Sequence, residues 1–167
     1  MHKYKVVYVS KTGFTKQYAE YIASALNVKA ELYKKGTNTK EYSKVIFCSF
    51  VFGGNISELA DIKNEVDDDK LFVLATGIYP PSPQRLSLLA KDNRLDESRL
   101  YYVSGGLDFS KLNFIKKAML KMVRSTLEKT SDRSADDNEA LRRLTQCGCF
   151  VDLNSSNPLI KDVLDER

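Results

Sequence analysis

From residue 4 to residue 103 the chain alternates short apolar runs with segments whose apolar positions recur at helical spacing. Tyr4–Val9 contains the unbroken run Val6-Val7-Tyr8-Val9, and Val45–Cys48, Leu71–Ala75 and Leu100–Val103 are apolar throughout. Runs of this length without interior polar positions suit strands buried on both faces. Val28–Tyr33 instead alternates apolar and polar residues, as a half-exposed edge strand does. Between these runs lie helical stripes: Ala19, Ile22, Ala23 and Leu26, then Leu59, Ile62 and Val66, then Leu86, Leu89 and Ala90. Ser57 is the expected cap of the second helix, and Ser82 with Pro83 provides a cap and first-turn proline for the third.

Five strands alternating with helices define an α/β domain with a parallel sheet. One alternating strand, second in sequence, places that strand at an edge and gives the order 2-1-3-4-5 in a three-layer αβα sandwich. The chain reads as one domain over residues 1–167, with residues 107–146 as a helical insertion after the fifth strand. In that insertion Leu112, Ile115, Met119 and Met122 form a stripe among Lys116, Lys117, Lys121 and Arg124, which predicts a basic amphipathic helix over Leu112–Lys129. Its stripe is expected to pack on the sheet with the cations in water. The competing reading lays it on a membrane or an anionic redox partner. Thr130–Asn138 reads as a surface loop, Ala140–Leu144 as a short helix, and Cys149–Leu153 as an extended piece. A final helix starting at Asn157-Pro158 carries Leu159, Ile160, Val163 and Leu164.

Composition narrows the class. With 167 residues, 43% hydrophobic and 29% charged, the chain can bury a core of ordinary size. No apolar run approaches the ~20 residues that span a bilayer, and the first residues lead straight into a strand. A cytoplasmic protein, at most peripheral to the inner face of the membrane, is expected. Three cysteines make no disulfide framework, and Cys147-Gly148-Cys149 lacks a second ligand pair for a metal. A net charge of +4 is too mild to indicate nucleic acid.

The candidate chemistry lies where the ends of the strands open. Ser10-Lys11-Thr12-Gly13-Phe14-Thr15 joins the first strand to the first helix. Hydroxyls, a glycine and helix N–H groups at such a junction suit a phosphate. After the third strand, Phe50-Val51-Phe52-Gly53-Gly54-Asn55 is expected as a loop of apolar ring neighbours and backbone donors. After the fourth, Thr76-Gly77-Ile78-Tyr79 is expected as a second loop, with Tyr79 as a stacking partner. These contents suit a mononucleotide carrying a flat ring. The strand ends lack the acidic residues of a phospho-acceptor domain, and the first loop lacks the cysteine of a small phosphatase. No general acid/base constellation stands out, so a cofactor is expected to carry the chemistry.

The pattern Ser-x-Thr-Gly-x-Thr after the first strand resembles the FMN phosphate loop of flavodoxins. Gly105-Gly106-Leu107-Asp108-Phe109-Ser110-Lys111-Leu112, with the following Phe114-Ile115-Lys116-Lys117-Ala118-Met119, is similar to a block of the flavodoxin-domain branch that contains menaquinone-dependent protoporphyrinogen oxidase. The resemblance implies FMN, bound by Ser10–Thr15, Phe50–Asn55 and Thr76–Tyr79. It also implies electron transfer with a redox partner protein or a quinone, with a quinone-linked oxidase as the enzymatic alternative and a cofactor-free interaction module as the other. The positive charge departs from the acidic flavodoxins that act as plain shuttles.

Overall fold

The protein is described by a computed structural model covering residues 2–165; Met1, Glu166 and Arg167, inside the expected domain bounds, lie outside the described residues. The apolar runs become strands β1 (His2–Tyr8), β3 (Tyr42–Phe52), β5 (Leu71–Gly77) and β6 (Leu100–Ser104), with β2 (Ala30–Leu32) at the edge. They pair in parallel in the order β2-β1-β3-β5-β6, which is the expected 2-1-3-4-5 once the short β4 (Asn55–Ile56) is set aside. The register aligns Val6 with Ile46 and Ile46 with Phe72, so apolar side chains stack across the sheet centre.

Helices cover both faces. On one, α1 (Phe14–Ala25) and α6 (Asn157–Asp165) bury Tyr18, Ile22, Leu159 and Val163 against Val6, Ile46 and Leu74. On the other, α2 (Leu59–Lys63) and α3 (Pro83–Asn93) bury Ile62 and Leu89 against Val7, Phe47 and Val73. Because successive strand residues face opposite sides, Val6 and Val7 serve different cores, and both need apolar side chains. Tyr18 binds the first layer to the chain's end: its hydroxyl donates to the Ser104 carbonyl at 2.7 Å and accepts from the Asp152 N–H at 3.0 Å.

Several elements differ from expectation. Phe50-Val51-Phe52 is not loop but the end of β3, where Phe50 pairs with Thr76 and Val51 with Ile56 across a tight hairpin. Gly53 and Gly54 form its two-residue turn with φ of 60° and 80°, a conformation that favours glycine at both positions. Ser57 does not cap α2; Glu58 stands at the cap with φ 60° and no side-chain hydrogen bond. The Ser57 N–H and carbonyl are instead tied to the Phe50 carbonyl and the Ser49 hydroxyl. Ser82 caps α3 as expected, accepting from the Arg85 N–H at 3.2 Å.

In the insertion, α4 (Phe114–Lys129) is followed by α5 (Ala135–Gln146), which starts inside the stretch expected to be loop. Ser134 and Asp137 form a reciprocal capping box there. The Arg133 guanidinium closes the end of α4 on the carbonyls of Leu127, Thr130 and Glu128, so the connection between the helices is fixed. The extended tail shortens to β8 (Gly148–Cys149), which pairs antiparallel with β7 (Gly106–Leu107). Residues Leu153–Ser156 then make a 3-10 turn into α6.

Of the stripe expected to pack on the sheet, Leu112, just before α4, is half-buried, and Ile115, Met119 and Met122 are not buried. The inward line of α4 is Lys116, Leu120 and Leu127, while Phe114, Ile115 and Met122 stand 85%, 67% and 70% exposed. Leu127 and the half-buried Leu120 join Ala140 and Leu144 of α5 in a small third cluster away from the sheet. Among the described residues no helix is long and apolar enough to cross a membrane.

Candidate functional site

Strands β1, β3, β5 and β6 all end on the same side of the sheet, and a cleft with a cavity of about 110 Å³ opens there. Its floor is strand backbone. Its rim is the β1–α1 turn on one side and α4 on the other. This is where ligands sit in open parallel sheets, outside the carboxyl ends of strands where the connections diverge.

The β1–α1 turn supplies the polar end. Lys11 and Thr12 line the cavity, as do Phe14 and Thr15 from the first turn of α1. Gly13 stands at the start of that helix, which has no side-chain cap and no acidic residue in its first turn. Uncapped N–H groups and the positive end of the helix dipole therefore face this corner. Ser10 is turned away: its hydroxyl accepts the Gly13 N–H at 3.0 Å and shapes the turn from outside the cavity lining. Thr15 is buried, and its hydroxyl meets that of Thr76 at 2.7 Å, which locks the helix start to the end of β5. Thr12 is thus the hydroxyl left to face a ligand.

Phe50, Val51 and Phe52 of β3 form the apolar part with Thr76 and Gly77, which are the end of β5 rather than loop, and Ile78 just after them. The Lys116 ammonium lies 5.0 Å from the centroid of Phe50 and 5.6 Å from that of Phe52, so α4 places a cation over both rings. Lys11 and Lys116 give the cleft positive potential, and the Lys111 ammonium approaches the Thr12 carbonyl at 3.5 Å.

Besides Ser10 and Gly13, which belong to the turn but not to the cavity lining, four expected residues lie elsewhere. Gly53, Gly54 and Tyr79 line a second cavity behind the hairpin, and the Arg85 guanidinium covers Tyr79 at 3.8 Å from its centroid. Asn55 lies outside both cavities, its amide directed to the Gly53 carbonyl at 3.3 Å. The hairpin causes this: a two-residue turn folds Asn55 back along β3 toward α3. There Asn93 accepts from the Ile56 N–H at 2.9 Å and donates to the Gly54 carbonyl at 2.9 Å.

Other residues join the site without having been expected. Gly105, Gly106 and Leu107 line the cleft from the end of β6, and Leu112, Lys116 and Leu120 from the insertion. The glycine pair and the apolar stripe were visible in sequence, but not their position over the cleft. Arg143 is further removed from any local signal. From α5 its guanidinium donates to the Ile78 carbonyl at 3.1 Å and the Ser104 hydroxyl at 2.9 Å, while its Nε pairs with Glu139 at 2.8 Å. Hydrogen bonds from Arg142 and Arg143 hold the Glu139 carboxyl down at about 2. Burial pushes the Tyr102 phenol up to about 12, and its hydroxyl donates to the Tyr79 carbonyl at 3.1 Å. The segment after β5 is therefore fixed by Arg143 and Tyr102. Among the described residues no group of three His, Cys, Asp or Glu side chains is placed to hold a metal, Cys147 and Cys149 included.

A doubly wound parallel sheet with an anion-ready turn after its first strand and an apolar, aromatic-walled slot beside it defines a flavodoxin-like protein. The family model described as flavodoxin domain matches residues 5–134, and the chain belongs to that family. Among solved structures it is similar to oxidised Flavodoxin 2 from Bacillus cereus, with 14% identity and a TM-score of 0.43 over 86% of this chain and 95% of that one. It is also similar to a flavodoxin from the domain Archaea, with 15% identity and a TM-score of 0.41 over 86% and 97%. No curated protein matches the chain.

Proposed function

We propose that the chain binds FMN in the first cleft and serves as an electron-transferring flavoprotein, with residues 1–167 as one flavodoxin-like domain and 107–146 as its insertion. One observation carries this reading: a twelve-residue helix with an uncapped, acid-free start, with Lys11 and Thr12 beside it and Lys116 lining the same cavity. That donor set fits a phosphate. Several charge-assisted hydrogen bonds converging on one group, each contributing about 1.5–3 kcal/mol, suffice to anchor a mononucleotide. The aromatic walls of Phe14, Phe50 and Phe52 fit a flat ring system.

Bound FMN supplies the one- and two-electron chemistry. In this reading Thr12 and the N–H groups at the start of α1 hold the phosphate, with Lys11 as counter-charge. Phe50–Phe52 and Thr76–Ile78 frame the ring and exclude water. Lys116, held over the phenylalanines, favours added negative charge on that ring. Titrating the protein with FMN and with riboflavin tests the assignment. FMN is expected to bind at least about a hundredfold more tightly, the equivalent of two charge-assisted bonds. Equal affinities would contradict it.

A second reading, in which the redox partner is a quinone and the protein is an oxidase-like member of the protoporphyrinogen branch, is favoured by the exposed face of α4. Phe114, Ile115, Met119, Met122 and Val123 are exposed there, with Lys117, Lys121 and Arg124 on the same helix and Lys111 just before it, and no acidic residue falls between Asp108 and Glu128. Apolar side chains with a wholly cationic surround suit an anionic lipid surface. Co-sedimentation is expected with vesicles containing phosphatidylserine, declining with salt and absent in Phe114→Ser/Ile115→Ser. Equal binding by that variant would remove the membrane from the account.

A further inference from the structure

The second cavity, of about 230 Å³, lies behind the β3–β4 hairpin and shares Val51, Phe52, Gly77, Ile78 and Leu120 with the first. Leu88 and Leu89 of α3, Met119 and Val123 of α4, and the rings of Tyr79 and Tyr102 complete a mostly apolar wall. Two charged side chains break it, and both come from α3. The Arg85 guanidinium lies over the Tyr79 ring, its Nε is buried without a hydrogen-bond partner, and no carboxylate among the described residues is within ion-pairing distance of it. A buried N–H beside an apolar cavity is costly to keep unless something accepts from it. Asp92, exposed at the mouth, lines the same cavity. Asp136 and Asp137 border the outer side of Arg85, in a separate surface depression.

Positions 85 and 92 are seven residues apart on one face of α3, which separates them by about 10 Å along its axis. The cavity therefore has a polarity: donors at the Arg85 end, an acceptor at the Asp92 end, and apolar walls between. We propose that it binds a flat apolar molecule with an oxyanion at one end and a hydrogen-bond donor at the other, of the class of hydroxyaryl carboxylates. The carboxylate accepts from Arg85, the hydroxyl donates to Asp92, and the ring lies between the hairpin and α4. The site itself stands without the flavin reading. If FMN occupies the adjoining cleft, the shared wall of Phe52 and Ile78 puts this molecule next to the cofactor, where a reaction partner belongs. That consequence rests on the proposed function.

The probe is 6-hydroxy-2-naphthoate, titrated by calorimetry against 2-naphthol, which lacks the carboxylate. The wild-type protein is expected to prefer the naphthoate by about tenfold or more, one charge-assisted hydrogen bond. Arg85→Gln, checked for native circular dichroism, loses that preference and keeps its affinity for 2-naphthol. Leu88→Trp, which fills the cavity from an exposed position, abolishes binding of both and does not depend on Arg85 tolerating change. Saturating FMN leaves the naphthoate bound. Equal affinity for the two probes, a preference that survives Arg85→Gln, or stoichiometric displacement by FMN would each overturn the proposal. Failure of FMN to bind at all counts against the flavin reading and leaves this site standing.

Discussion

The hydroxyls of Thr15 and Thr76 meet at 2.7 Å beneath the cleft, sixty-one residues apart in sequence, and Thr76 also reaches the Ser49 carbonyl at 3.4 Å. This contact sets the first turn of α1 on the ends of β3 and β5, so the anion-ready turn and the apolar slot share one rigid base. Replacing either threonine by valine leaves the other hydroxyl buried with a lost partner, which costs about 1–3 kcal/mol. The double replacement is expected to cost less than the sum of the two. Urea unfolding of the four proteins in a double-mutant cycle measures the coupling.

Thr12 is the contrasting case. Its side chain makes no hydrogen bond that holds the turn, and it lines the cavity. Thr12→Ala is expected to leave the unfolding midpoint within about 0.5 kcal/mol of wild type. It should weaken FMN by about tenfold while leaving riboflavin unchanged. Parallel losses for FMN and riboflavin would take Thr12 away from the phosphate.

Gly77 packs closely against Tyr102, and both line the second cavity. A methyl group on Gly77 would run into the Tyr102 hydroxyl and lie 2.8 Å from its ring carbons. Gly77→Ala is expected to destabilise the fold by about 1–3 kcal/mol through this overlap. The cost should fall in a Tyr102→Ala background, where the ring is gone. Thermal unfolding of the single and double variants gives the coupling directly.

Glu139 carries a pH signature. Its carboxyl, ordinarily near 4.5, is lowered to about 2 in the folded protein by hydrogen bonds from Arg142 and Arg143. The depressed folded value means that its stabilisation is fully present above about pH 4.5 and is lost as pH falls toward 2. Glu139→Gln is therefore expected to be less stable than wild type at neutral pH and to converge on it in acid. Unfolding curves between those limits check the convergence. Because Arg143 also holds the Ile78 carbonyl, FMN affinity should weaken across the same window.

How much of this was legible in the sequence follows from what each element buries. Strands β1, β3, β5 and β6 were readable because burial on both faces forces apolar runs, and strand order followed from the one alternating strand. The hairpin was missed because Phe50-Val51-Phe52 before two glycines has the composition of a ring-binding loop as well as of a strand end. The start of α5 was missed because its capping box, Ser134 with Asp137, lies within a polar stretch. Periodicity also misplaced the inward face of α4. It marks a stripe at Leu112, Ile115, Met119 and Met122, of which Leu112 lines the cleft and Met119 edges the second cavity, whereas α4 itself turns Lys116, Leu120 and Leu127 inward. Nothing local predicts which neighbour a helix in an insertion will meet. Arg85 and Arg143 had no sequence signal, since their roles depend on Tyr79 and Ile78 being brought to them by the fold.

The central claim is a flavin in the cleft above β1, β3 and β5, and the visible absorption spectrum tests it most directly. Protein incubated with FMN and then freed of unbound ligand is expected to be yellow, carrying one released FMN per chain. A colourless protein that retains no FMN would contradict the account and leave a flavodoxin fold serving as an interaction module.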